Sequence, residues 1–345
     1  MINISKKTLQ DLEFESVIQQ VASHNVTSLG KNEILATLPF SQREDVIQAL
    51  RLTNEFVSSF DNENRIPNHG FDAITAELKL IRIENNYLEI DGFRKIASIC
   101  VTTNILLKFF KKFHEYYPLL HKVSLQLEAN KDIPEAIHSV VDKFGEIRND
   151  ASDTLYGLRK SIQAVRTKIN TSFNSALIMY NSAEYLDDIR ETVMENRRVL
   201  AVKAMYRRKV KGSILGASKT GSIVYIEPDT THQHQRDLNN FEFEETEEIK
   251  RILLELTNYV RGFKPLLQQY QNYLVLLDVL YAKAKYAQSI NGILPELSDD
   301  QELNLRDAYH PLLLLANNEE GKKTFPQTIT MAKDSRIIVI SGPNA

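Results

Sequence analysis

The chain has 345 residues, and its 42 Lys and Arg against 45 Asp and Glu leave a formal net charge of −3, a sum that excludes no nucleic-acid role because a binding footprint depends on where charges sit. The length favours two to three domains over one; hydrophobic residues make up 43%, while 12 Gly, 10 Pro and no Trp leave few breaks between long periodic stretches, which favours helices over a sandwich or barrel. The single cysteine, Cys100, excludes an internal disulfide framework or multi-cysteine metal site, and no apolar run reaches signal or membrane length, so no membrane partner and a reducing, cytoplasmic setting are expected.

Residues 1–149 read as a helical region. Leu9, Leu12, Phe14, Val17, Ile18 and Val21 recur at helical spacing, as do Val46, Ile47, Leu50, Phe56 and Val57, and then the run from Phe93 to Phe113, which holds Cys100 as core packing. Turns are expected at Leu38-Pro39, at Ile66-Pro67-Asn68-His69-Gly70 and at Tyr117-Pro118. The histidines and lysines of this region suit solvated faces better than a site.

Residues 150–184 carry a heptad-like seam, Leu155, Leu158, Ile162, Val165, Ile169, Phe173 and Ala176, whose start Asp150 or Ser152 can cap. One such helix needs a partner. Residues 185–232 are the least helical part: Val199, Ala201 and Lys203 alternate with Leu200, Val202 and Ala204, and Ile223-Val-Tyr-Ile226 follows Lys219-Thr-Gly-Ser222, a period of two with glycine turns that predicts hairpins. From Asn196 to Ile226 there is no Asp or Glu, yet Arg197, Arg198, Lys203, Arg207, Arg208, Lys209, Lys211 and Lys219 all fall there. A run of cations is usually only a solvated face. Here the acid-free stretch coincides with the hairpins, and such segregation is what a phosphate backbone rewards, so these residues are the candidate DNA-binding set.

Residues 233–292 supply the partner helix. Leu238, Phe241, Ile249, Ile252, Leu256 and Val260 mark it, with Glu242, Glu244, Glu245, Glu247 and Glu248 expected near its start, at the positive end of the helix dipole. After a break from Gly262 to Pro265, LLQQYQNYLVLLDVLYAKAKYAQSI continues as a further helix. Residues 293–345 end in RIIVISGPNA, where Ile337 to Ile340 would form a buried strand and Gly342, Pro343, Asn344 and Ala345 would open a phosphate-binding loop of the form G-x-x-x-x-G-K-[ST].

Other candidate sites are weaker. His232-Gln-His234 could chelate a metal only on a strand, and the pair enters a helix, where that spacing splits the faces; His310 precedes Pro311 and reads as a turn residue. No catalytic constellation and no metal site is found.

Taken together the chain resembles the MutS family of DNA-handling ATPases, and most closely its recombination-suppressing branch, MutS-two. The carriers are KTLQDLEFESVIQQVASH, ENRRVLAVKAMYRRKVKGSILGASKTGSIVYIEP, LDVLYAKAKYA, LNLRDAYHPLL and VISGPNA. The resemblance implies a mainly α fold: a helical core and lever (1–149), an antiparallel coiled-coil arm ascending through 150–184, a small β-rich clamp at its tip (185–232), a descending arm and return helix (233–292), and the first strands of an α/β P-loop ATPase domain (293–345). It further implies ATP and Mg in a full-length homodimer, none bound to this stretch, which would stop within the Walker A loop and be inactive on its own. DNA, branched or duplex and held by its backbone, is the expected partner, with the ribosome or RNA as a second; a nuclease domain would lie further along. Mismatch-reading relatives begin with a mixed domain carrying a Phe-x-Glu wedge. This chain starts directly in helices, and its Phe113-His-Glu115, Phe144-Gly-Glu146 and Phe243-Glu-Glu245 are taken as structural. The rivals are a coiled-coil scaffold for protein association and a mismatch-repair MutS lacking its reading domain.

Overall fold

The computed structural model describes residues 4–300, 302–335 and 337–339. They form α1 (Lys6–Asp11), α2 (Phe14–Ala22), α3 (Ser28–Leu35), α4 (Arg43–Ser58), α5 (Thr75–Leu80), α6 (Ile90–Lys112), α7 (Pro118–Ser124), α8 (Asp132–Val140), α9 (Asp153–Ser182), β1 (Leu186–Met194), β2 (Arg197–Lys203), a short 3-10 turn (Ala204–Tyr206), β3 (Gly212–Ala217), β4 (Ile223–Pro228), α10 (Asp229–Arg261), α11 (Lys264–Ser289), β5 (Leu303–Ala308), α12 (Pro311–Glu319) and β6 (Gln327–Met331). The fold is mainly α with a small β part, and no helix among the described residues is long and apolar enough to cross a membrane. Two compact units result, one of residues 1–83, 91–135 and 260–345, the other of residues 84–90 and 136–259.

In the first unit α11 is the axis, burying Leu267, Tyr270, Leu274, Leu277, Leu280, Ala282 and Ala284. Its Asp278, 0% exposed, accepts N–H bonds from Val26 (2.9 Å) and Thr27 (3.0 Å) and a hydroxyl bond from Thr27 (2.6 Å), so one carboxylate fastens the turn that starts α3. His69 Nε2 lies 3.4 Å from the same carboxylate and the residue is 4% exposed. This corrects the expectation of a solvated face: the ring packs against Phe56 and Tyr281, with ring centroids 6.1 and 5.0 Å away. Cys100 is fully buried in α6, and burial pushes its thiol up to about 12.

The same unit holds β5 and β6, an antiparallel pair. Ile337, Ile338 and Val339, expected as a buried strand, are exposed and outside regular structure, since no strand among the described residues offers a ladder for their amides. Ile340 and the loop residues Gly342, Pro343, Asn344 and Ala345 lie outside the described residues.

In the second unit α9 and α10 pack antiparallel. Ile162 and Val165 bury against Leu238, with Ile169 and Phe241 packed beside them. Ser152, the N-cap of α9, accepts from Leu155 N–H (3.0 Å) and donates to Glu248 (2.6 Å), while Asp150 pairs with Arg148 instead of capping. Arg159 binds Glu245 at 2.7 Å and Arg166 binds Glu242 at 2.8 Å. Because α10 begins at Asp229, these glutamates sit mid-helix, and cations of α9 answer them where the helix dipole had been expected to. Arg251 holds the Glu248 carboxyl at about 2, its hydrogen bond outweighing the burial that opposes it.

Candidate nucleic-acid interface

Between α9 and α10 the chain builds a four-stranded antiparallel sheet in the order β1-β2-β4-β3. The β1–β2 turn is Glu195-Asn196, both at positive φ (48° and 62°) between the paired Met194 and Arg197, the geometry of a type I′ hairpin. β1 was not legible as a strand: LDDIRETVM is acidic, and its register shifts between Leu186 and Glu191, where Arg190 takes φ 58°. In β2 the residues Val199 to Val202 are all buried, so the alternation read there does not leave one face wet; Leu200 and Val202 join Phe173, Ala176 and Tyr180 of α9 with Leu186, Val210, Val224 and Ile226 in one core.

The sheet sorts the sequence-predicted cations into different environments. Arg197 points to the face of β4 that carries Glu227, 3.0 Å away, and that carboxylate is 2% exposed, so the arginine neutralises a buried charge. Arg198 points to the other face, where it binds Glu191 at 2.6 Å and Asn170 at 3.2 Å and lies 4.2 Å over the Phe173 ring. Lys203, half-buried at the end of β2, reaches the Glu184 carbonyl at 3.4 Å. Glu191 and Glu227 flank the acid-free stretch in sequence, and strand pairing folds them back over it. The hairpin turn at Glu195-Asn196 carries enough register information to find the first; Glu227 needs the order of β2 and β4, which the sequence pattern does not state.

Arg207, Arg208, Lys209 and Lys211 are exposed, and among the described residues no ion pair is formed by them. They lie together on residues 204–211, the connection that carries the chain from β2 past β4 to β3. Lys219 is exposed in the β3–β4 turn, two residues before Gly221 at φ 70°, at the end of the sheet where this connection starts, since Ala204 N–H donates to Ser222 O at 2.9 Å. On the opposite edge β1 and its turns hold Asp187, Asp188, Glu184 and Glu195. The edge strand β1 and its turns thus carry mostly carboxylates, with the exposed Arg190 among them, whereas the charged residues of the connection 204–211 are all cations.

The remaining candidates do not gather. His232 and His234 both lie within α10, and among the described residues no group of three His, Cys, Asp or Glu could hold a metal. His310 caps α12 by accepting from Leu313 N–H at 3.4 Å. Of the Phe-x-Glu triplets, Phe144 is 76% exposed on a turn whose Phe144 and Glu146 amides donate to Asp142, Glu245 is held by Arg159, and Phe113 packs on Phe109 with tilted rings 4.8 Å apart.

No protein-family model matches the chain. Across 98% of its length it is 29% identical to a protein named Endonuclease MutS2 from Geobacillus sp. (strain WCH70) and 29% identical to one of the same name from Staphylococcus aureus (strain Newman). It spans 43% of each relative, less than half of their length. The chain is MutS2-like along almost all of its own residues.

Proposed function

We propose that this MutS2-like chain is the gripping part of an ATP-driven clamp that holds branched or bent DNA through its sugar-phosphate backbone. One observation carries the reading: Arg207, Arg208, Lys209 and Lys211 stand exposed and unpaired on a single connection of the sheet between α9 and α10, in a protein of net charge −3. Like charges held close repel one another, and phosphates relieve that repulsion while releasing counterions. Lys203 and Lys219 flank the cluster, whereas Arg197 and Arg198 support it by neutralising Glu227 and Glu191 within the sheet. Among the described residues neither a recognition helix nor a platform of exposed aromatics accompanies the cations, so the contact is with the backbone and not with base edges.

For the whole protein the proposal includes a homodimer in which bound ATP and Mg bias the clamp between open and closed by differential affinity, a role in suppressing recombination and in repair, and a nuclease region elsewhere. The ribosome or structured RNA is the second expected partner. No step of the grip itself runs through nucleotide.

Fluorescence anisotropy with a labelled DNA duplex and a branched DNA, titrated over a salt series, tests the grip. Four phosphate contacts predict log K falling with log salt at a slope of roughly −3.6. Replacing Arg207, Arg208, Lys209 and Lys211 by Ala should flatten that slope toward zero. An unchanged slope and affinity in the quadruple variant would favour a scaffold in which the α9–α10 pair serves protein association.

A further inference from the structure

We infer that Tyr180 is a positioning residue for nucleic-acid binding: from the last turn of α9 it holds the cationic connection 204–211 in the arrangement that meets phosphates. The inference rests on the nucleic-acid reading above and adds to it a residue that carries no charge.

The connection is fastened along its whole length. It begins with Ala204 N–H on Ser222 O (2.9 Å) and continues through two internal turns, Arg207 N–H to Ala204 O (3.3 Å) and Lys209 N–H to Tyr206 O (2.8 Å). Next to its end Val210, 5% exposed, is sunk into the core shared by α9 and the sheet. At its end Lys211 N–H donates to the Tyr180 hydroxyl at 3.1 Å, and Lys211 C=O accepts from Asp229 N–H at 3.2 Å. Both polar backbone atoms of Lys211 are thus taken by the helix pair, one by the end of α9 and one by the first residue of α10. The Tyr180 ring is 7% exposed and begins a column of rings, 6.5 Å from Tyr185, which in turn stacks on Tyr206 at 4.8 Å and 28°. Tyr206 belongs to the connection itself, so Tyr180 bonds the end of the cationic segment directly by its hydroxyl, while its neighbour Tyr185 packs on the segment's start.

The physical consequence is preorganisation. A free eight-residue segment rich in Lys and Arg would lose its conformational freedom on binding, and that loss would be subtracted from the phosphate contacts. Held as it is, the segment has lost that freedom on folding. Salt dependence and affinity then report different things: the slope counts neutralised phosphates, while the affinity at fixed salt also contains the cost of ordering.

The test uses the 345-residue chain and the labelled duplex, with Tyr180→Phe, Val210→Ala, the quadruple Ala variant and Tyr270→Phe compared over one salt series, and thermal melts recorded for each. Tyr180→Phe deletes only the acceptor of the Lys211 amide, and Val210→Ala frees the segment by a separate route. Tyr270→Phe is a control, removing a tyrosine hydroxyl that donates to the Glu128 carbonyl in the other unit. Tyr180→Phe should weaken binding roughly two- to tenfold at fixed salt, the range for losing one net hydrogen bond, with the slope unchanged. Val210→Ala should reproduce that split and decides the matter should Tyr180→Phe fail to fold, while Tyr270→Phe should bind as the parent does. Parent-like binding by Tyr180→Phe and Val210→Ala, or a flattened slope in either, overturns the positioning role. If the quadruple variant keeps the parental slope, it is the nucleic-acid reading itself that fails.

Discussion

The Asp278 carboxylate is enclosed in the first unit with backbone amides, a hydroxyl and His69 about it, and no Lys or Arg pairs with it among the described residues. Burial opposes its charge, yet the hydrogen bonds from His69, Thr27 and the Val26 and Thr27 amides outweigh burial and hold the group at about 2. Because the folded value lies below the ordinary 3.8, the stabilisation is complete above pH 3.8 and is lost as pH falls toward 2. That amounts to about 2–3 kcal/mol, so denaturant midpoints should drop across this window in the parent and stay flatter in Asp278→Asn, which should also be less stable at pH 7. Gly30 faces the same oxygen: a Cβ there would stand 2.1 Å from Asp278 Oδ2 and 2.9 Å from Asn25 Nδ2. Since the carboxylate is fixed by its donors, Gly30→Ala should cost about 1–3 kcal/mol in equilibrium unfolding, although alanine is the better helix former. None of this was legible in the sequence. His69 and Asp278 are 209 positions apart, and neither type is marked by periodicity as buried.

At the scale of elements, what could be read was whatever has a period. The long helices α9, α10 and α11 follow from apolar spacing, and β2 and β4 from alternation between turn residues. β1 escaped because its acids and its irregular register at Arg190 erase the alternation, and the Ile337–Val339 strand was overread because β-branched residues favour a strand only where a neighbouring strand can pair with them. The Glu195-Asn196 turn invites a direct check. A type I′ turn holds both central residues at positive φ, which costs a glutamate more than an asparagine and an asparagine more than a glycine. Exchanging Glu195→Asn together with Asn196→Gly should therefore stabilise the second unit by about 1 kcal/mol, seen as a raised thermal midpoint. A lowered midpoint would mean that Glu195 makes a contact worth more than the strain it bears.

For the molecule as a whole, net charge misleads and the order of strands informs. The sum of −3 hides a small sheet whose strand β1 carries mostly carboxylates and whose connection from β2 to β3 carries cations alone. The sequence alone marked the cationic stretch but could not divide it, because the division depends on which carboxylates strand pairing brings back. If contact is with phosphates only, two duplexes of equal length and different sequence should bind within about twofold of each other, against the roughly 1–3 kcal/mol per mismatched base pair expected of a base reader. Competition anisotropy with unlabelled duplexes measures that ratio, and a tenfold preference for one sequence would count against backbone-only contact.

The core of the β module also has a bearing on how the part could be inherited. Its polypeptide arrives at Tyr185 and departs at Pro228, and Lys211 is bonded to Tyr180 on the arriving side and to Asp229 on the departing side, so entrance and exit lie shoulder to shoulder. A piece with neighbouring ends can be lifted from one pair of antiparallel rods and set upon another with little disturbance to either. Transplanted together with the final turn of its incoming rod, it should carry the proposed grip on phosphates with it, an outcome that anisotropy with labelled duplex would read.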